Sequence, residues 1–222
     1  DGDHAVVGSF AIGAGRTAGA AYAFARSAGV WSLPIPLVPA DPAPGDIFGF
    51  SVAISGDTAI VGAPGKTISD NAVEGAAYLF TRSGSIWTQQ GSEIVGGSGV
   101  AQDFFGRSVG ISGNTAVVEF RNQLNAGNRG AYFFDRTAGA WSERAKLSQP
   151  NVDGTYGAVA ISGSSVLVGT AIYERNGDTW TRQAQFTSTD GGTFNGFAEA
   201  GVAISGTSAI IGAFTADVGT NV

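Results

Sequence analysis

Trp31, Trp87, Trp141 and Trp180 are the only tryptophans in the 222-residue chain, and each follows an arginine by five residues: Arg26, Arg82, Arg136 and Arg175. An aromatic stands two residues before each arginine, at Phe24, Phe80, Phe134 and Tyr173. Three copies add Tyr22, Tyr78 or Tyr132 two residues further back. A guanidinium beside an indole can stack on and hydrogen-bond a sugar or a partner protein. The same pair can instead fold back on itself across a hairpin, cation against ring. That structural role would recur wherever the hairpin recurs, so recurrence favours packing; a sugar or partner contact at each pair is kept open beside it.

Other groups carry less. The single histidine, His4, sits in Asp-Gly-Asp-His with no second base or ligand spaced to work with it. It is read as a surface turn residue, and no Ser-His-Asp set can be assembled from it. Asp46 and Asp103 hold equivalent repeat positions. Two carboxylates are enough for glycoside hydrolysis, so a carboxylate-dependent hydrolase is one reading; recurrence of the acid points rather to a turn or cap. Asp70, Asn71 and Glu74 share a longer loop. They fall short of the about 6–8 oxygens that calcium prefers and are read as solvated. Nucleophile-elbow, zinc-helix and phosphate-loop patterns do not occur in the sequence. No catalytic, cofactor-binding or metal-ligating residue is assigned.

Composition narrows the class. Glycine supplies 35 residues, charged residues are 14% and hydrophobic residues 43%, against ~25% charged in ordinary domains. A disordered chain would be charge-rich and poor in apolar residues. Twelve basic against 18 acidic side chains give a net charge of −6, and scattered arginines leave no footprint for nucleic acid. No apolar run approaches the ~20 residues of a membrane helix. The absence of cysteine removes disulfides and thiolate chemistry. The absence of methionine predicts a processed or truncated piece.

The elements that must position these residues come from a second recurring phrase. It reads SVAISGDTAIVGAP from Ser51, SVGISGNTAVVEF from Ser108, AVAISGSSVLVGT from Ala158 and GVAISGTSAIIGA from Gly201; GDHAVVGS from Gly2 is its back half. The shared glycines, Gly2, Gly56, Gly113, Gly163 and Gly206, recur every 43 to 57 residues, a period that belongs to β-propellers. Each unit reads as four strands: SVAIS, TAIVGA, GAAYLFTR and a polar fourth at Trp87-Thr88-Gln89-Gln90, reached by the four-residue loop Ser83–Ile86. No segment sustains a helical apolar period. The inner strands are apolar on both faces, which suits sheets sandwiched between sheets. In the fourth unit the loop between strands two and three is nearly gone, so Val166–Arg175 reads as one strand or as a clipped hairpin.

Asp46-Ile47-Phe48-Gly49, Ser51–Gly56 and Gly62-Ala63-Pro64 resemble an FG-GAP repeat, the repeat of the integrin α-subunit propeller and of many bacterial secreted and surface proteins. GAAYLFTRSGSIWTQQ is similar to the bacterial branch. The resemblance covers nearly the whole chain and is most specific in 46–90 and 103–147. Phe105-Gly106 keeps the FG pair, Tyr156-Gly157 varies it and Phe197-Ala198 loses it; Val118-Glu119-Phe120, Gly169-Thr170-Ala171 and Gly212-Ala213-Phe214 replace Gly-Ala-Pro. Integrin-type repeats often carry calcium. Here the corresponding turn is only Ser-Gly-Asp or a variant, so no calcium site is carried over.

The expectation is therefore an all-β propeller of four-stranded antiparallel blades spanning 1–222. Its units are about 1–45 (partial), 46–102, 103–152, 153–193 and 194–222 (partial), about four and a half blades. Seven blades are usual in the family the repeat resembles, which makes the chain part of a longer ring, a closed four-bladed ring being the lesser alternative. The resemblance implies a non-enzymatic, secreted or cell-surface adhesion or interaction scaffold with a protein or glycan partner or self-assembly. A lectin with sites on or between blades is the alternative. Loops 64–74 and 120–129, which differ most between copies, are the candidate seats of specificity.

Overall fold

The structure, a computed structural model, describes residues 1–10, 17–69, 72–97, 99–125, 128–148, 157–186 and 197–213. Strands are the only regular elements among them. The first sheet holds β1 (His4–Ser9), β2 (Ala20–Ser27) and an outer strand split into β3 (Val30–Trp31) and β4 (Ile35–Leu37), both paired with β2. Pro34 and Pro36 account for the split, because proline cannot donate to a ladder and survives only at an edge. The second sheet is β5 (Ser51–Ser55), β6 (Thr58–Ala63), β7 (Ala76–Ser83) and β8 (Ile86–Gln89). The third is β9 (Val109–Ser112), β10 (Thr115–Arg121), β11 (Arg129–Thr137) and β12 (Ala140–Ser148). The fourth is β13 (Val159–Ser162), β14 (Ser165–Val168), β15 (Ala171–Asn176) and β16 (Thr179–Gln185). A hairpin of β17 (Phe197–Ser205) and β18 (Ser208–Ala213) follows. Every pairing is antiparallel between chain neighbours.

Turn chemistry sets these registers. Ser55 pairs with Thr58, Ser112 with Thr115, Ser162 with Ser165 and Ser205 with Ser208, each around a two-residue loop. Its first residue is Gly56, Gly113, Gly163 or Gly206, with φ of 54° to 59°, which glycine adopts without steric cost. The outer hairpin is tighter than the sequence suggests: Ser83 and Ile86 themselves pair, leaving only Gly84-Ser85 as loop. The clipped fourth unit is a hairpin, with Val168 paired to Ala171 around Gly169-Thr170. The outer strands β12 and β16 carry bulges at the same place, opposite Phe133/Phe134 and Ile172/Tyr173, which strengthens the local twist.

The cores lie between sheets. Ala21, Ala23 and Leu37 of the first sheet meet Val61, Tyr78 and Phe80 of the second. Ile60 and Leu79 meet Val118, Tyr132 and Phe134 of the third, and Val117 and Phe133 meet Val166, Val168 and Tyr173 of the fourth. Each sheet thus turns an aromatic-bearing face to its predecessor and a second apolar face to its successor. The two-residue period of β7 and β11 divides consecutive side chains between the two neighbours. These sheets are the blades of a β-propeller.

Candidate functional site

The junction between blades is where the repeated residues converge. Phe48 and Phe105 are each 1% exposed. Phe48 meets Tyr78 and Phe80 edge-on at 5.4 and 6.3 Å, and Phe105 meets Tyr132 and Phe134 at 5.7 and 6.0 Å. Their backbones join neighbours: Phe48 N–H donates to Ala18 O at 2.8 Å and Phe105 N–H to Glu74 O at 2.9 Å, while Gly49 and Gly106 donate to Gly62 O and Glu119 O at 3.0 Å. A Cβ on Gly106 (φ +93°) would lie 2.4 Å from Ala76 O. Only glycine therefore permits this approach.

The four Arg–Trp pairs occupy the outer corner of the same junctions. Arg26 pairs across the hairpin with Trp31, Arg82 with Trp87, Arg136 with Trp141 and Arg175 with Trp180. Guanidinium carbons of Arg26, Arg136 and Arg175 lie 5.5, 5.5 and 5.8 Å from the ring centres. Trp87, Trp141 and Trp180 pack into the core shared with the preceding blade, and Trp180 stacks on Phe133 at 4.3 Å. Trp31 belongs to the first blade and is 46% exposed. The arginines also reach backward: Arg136 Nη1 donates to Thr58 Oγ1, and Arg175 Nη1 to Thr115 Oγ1, each at 3.0 Å.

Residues 31–80 and 87–134 each match the FG-GAP repeat. The chain carries FG-GAP repeats. Each matched stretch runs from an outer-strand tryptophan, across a junction, to the aromatic of the next blade's third strand. None of the curated proteins compared with the chain matches it.

The acidic residues of the FG-GAP units are struts. Asp46, 5% exposed, accepts Ala43 N–H at 2.8 Å and Lys66 Nζ at 3.3 Å. Lys66 Nζ also meets Asp41 Oδ2 at 2.7 Å, and Tyr78 O–H donates to Asp41 Oδ1 at 3.0 Å. Burial opposes the Lys66 charge, yet bonds to Asp41 and Asp46 carry its pKa above the ordinary lysine value. In the next unit Asn122 takes the lysine's place and donates to Asp103 Oδ1 at 2.7 Å. Its own Oδ1 accepts Leu124 N–H and Asn125 N–H at 3.0 and 2.8 Å. Lys66 and Asn122 were not singled out from sequence, because only the backbone path brings them to the recurring aspartate.

Two sequence expectations are corrected. Glu74 is 3% exposed and not solvated, since the incoming Phe104-Phe105 backbone covers its segment; Asp70 and Asn71 lie outside the described residues. His4 opens β1, half-buried and paired with Ala25, and is not in the turn.

In the fourth blade Ser164 stands where Asp57 and Asn114 hold their blades' arginines, and Arg175 turns to Asp135 of the third blade. Nη1 meets Oδ1 at 2.9 Å and Nη2 bonds Oδ2. This fork, then burial against it and Thr115 with it, leaves the Asp135 pKa below the ordinary 3.8. Arg175→Ala is expected to cost ~1.5–3 kcal/mol, the range for bonds to a charged group, read from the urea midpoint. A depressed folded pKa means the contribution is complete above pH ~4 and is lost on acidification, so the deficit should shrink below pH ~3.

Proposed function

We propose that this chain is a non-enzymatic interaction scaffold working outside the cell or at its surface. The employment of its acids carries the reading: Asp46, Asp103 and Asp135, the carboxylates a hydrolase could draw on, are bonded to Lys66, Asn122 and Arg175 within the propeller. What the propeller offers outward is a shaped loop. Leu124, 74% exposed, rides a turn held by Asn122, whose backbone N–H donates to Asn128 O at 2.9 Å. An exposed apolar residue on a fixed turn suits a protein contact. A lectin reading has Trp31 and Arg26 in its favour, since that ring is half open.

The test is paired affinity capture, with the native chain and Leu124→Arg immobilised side by side, plus a glycan array. A protein retained by the native chain and at least tenfold less by Leu124→Arg, at unchanged Tm, is the expected result. Glycan binding abolished by Trp31→Ala would transfer the function to the lectin reading. Hydrolysis of a chromogenic glycoside, lost in Asp46→Asn, would overturn both.

A further inference from the structure

Every internal junction repeats three contacts, and both ends of the described array carry one unused half of that set. The first contact is an aromatic-bearing face. Val61, Tyr78 and Phe80 are at most 1% exposed, and Val118, Tyr132 and Phe134 at most 3%. Their counterparts in the first blade are Val7, Tyr22 and Phe24; Val7 is 50% exposed and Trp31 beside them 46%. The second is a turn bond. Gly113 N–H donates to Ser55 Oγ at 3.0 Å, Gly163 to Ser112 at 3.0 Å and Gly206 to Ser162 at 3.2 Å. Asp1 serves Gly56 at the serine's position, at 2.7 Å. Gly2 N–H at the start and Ser205 Oγ at the end have no counterpart in this series among the described residues. The third is the backward arginine, which finds Thr58 and then Thr115. Arg26 has no preceding blade, and Ser208, at the position of those threonines, has no following arginine. The apolar face that should receive a next blade is also open. Ile210 is 73% exposed, where Ile60, Val117 and Leu167 are all 0%.

We infer that these two ends fit one another between molecules: the first blade of one copy docks on the β17–β18 hairpin of a second copy, head to tail. In that contact Val7, Tyr22 and Trp31 cover Ile210, Gly2 N–H reaches Ser205 Oγ, and Arg26 reaches the Ser208 hydroxyl. The partner is a second copy because the surface each end lacks is present, in the repeat's own geometry, at the opposite end of the same chain. The interface is heterologous, so it yields a ring if the rotation closes and a filament if it does not. The inference rests on the scaffold reading above and names a partner for it.

Sedimentation velocity over a concentration series tests it, using Val7→Arg and Ile210→Asp. Both replace exposed side chains, so both should keep the native circular dichroism and Tm. The native chain is expected to gain mass with concentration, and each variant alone to stay monomeric. An equimolar mixture of the two should form a species of two chains and nothing larger, because one good end of each survives. A monomeric native chain, a variant that still associates, or a mixture that stays monomeric would each overturn the inference. Leu124-dependent capture surviving in either variant would leave the scaffold reading standing while self-docking falls; loss of that capture with self-association intact would do the reverse.

Discussion

Phe105→Ala is expected to remove ~3–5 kcal/mol of stability, the range for truncating a buried phenylalanine, and to lower Tm by on the order of 10 °C in a chain of this size. The ring is 1% exposed. It fills the space between Leu79 of the second blade and Tyr132 and Phe134 of the third. The flanking backbone is fixed from two sides, by the bonds to Glu74 O and Glu119 O at 2.9 and 3.0 Å, so the junction cannot close over the void. Val30→Ala, at a site 71% exposed, is the control and should stay within ~0.5 kcal/mol. Thermal and urea unfolding of the two variants check this. A loss below ~1 kcal/mol for Phe105→Ala would show that the FG ring is not what binds these blades.

Stability that falls as pH rises is the second expectation, and Glu119 is its source. This carboxyl stands where other units have glycine, on the side of β10 that faces the fourth blade with Val117 and Phe133. It is 5% exposed, and its Oε2 has no hydrogen-bond partner among the described residues. Burial pushes its pKa up to about 8 from 4.5, against the pull of Arg107, Arg121 and Arg129. Between those values the folded chain holds a proton that the unfolded chain has released. Stability therefore falls with pH across the window, by up to ~1.4 kcal/mol per unit, on the order of 5 kcal/mol in all, and levels off above pH 8. Below pH ~4 the depressed Asp41 and Asp135 act in the opposite sense, which puts the optimum on the mildly acidic side. Glu119→Gln should flatten the slope between pH 5 and 8 whatever its absolute stability. A wild-type urea midpoint constant over that range would refute the assignment.

The blades were legible because their signals are local and repeated. Ser-Gly-Asp between two apolar runs fixes a hairpin register, and Arg-x₄-Trp fixes the next one, where the two side chains pair directly. The direction in which each blade turns its two faces was less legible. Alternation divides Phe80 from Leu79 but does not say which neighbour receives which, and the contacts had to show that the tryptophans lean on the preceding blade. The carboxylates were half legible. Recurrence at Asp46 and Asp103 pointed to a cap, but their partners Lys66 and Asn122 differ in type and sit far along the chain. The serine before each turn glycine was in plain view at Ser55, Ser112, Ser162 and Ser205. It reads as ordinary turn chemistry until the next turn is seen to donate to it. Glu119 stood out as a departure from Gly-Ala-Pro, and only its burial turns that departure into a titration.

The serine-to-glycine bonds have a mechanical side. They run from tip to tip, across the strand direction, so each hairpin is moored to the next at the point where it would otherwise fray. Blades that touch only the one before and the one after behave as a linear array with nearest-neighbour coupling. Such an array unzips from its margins inward. Amide hydrogens of β6 and β10, with moorings on both sides, should exchange last, and those of β1 and β18 first.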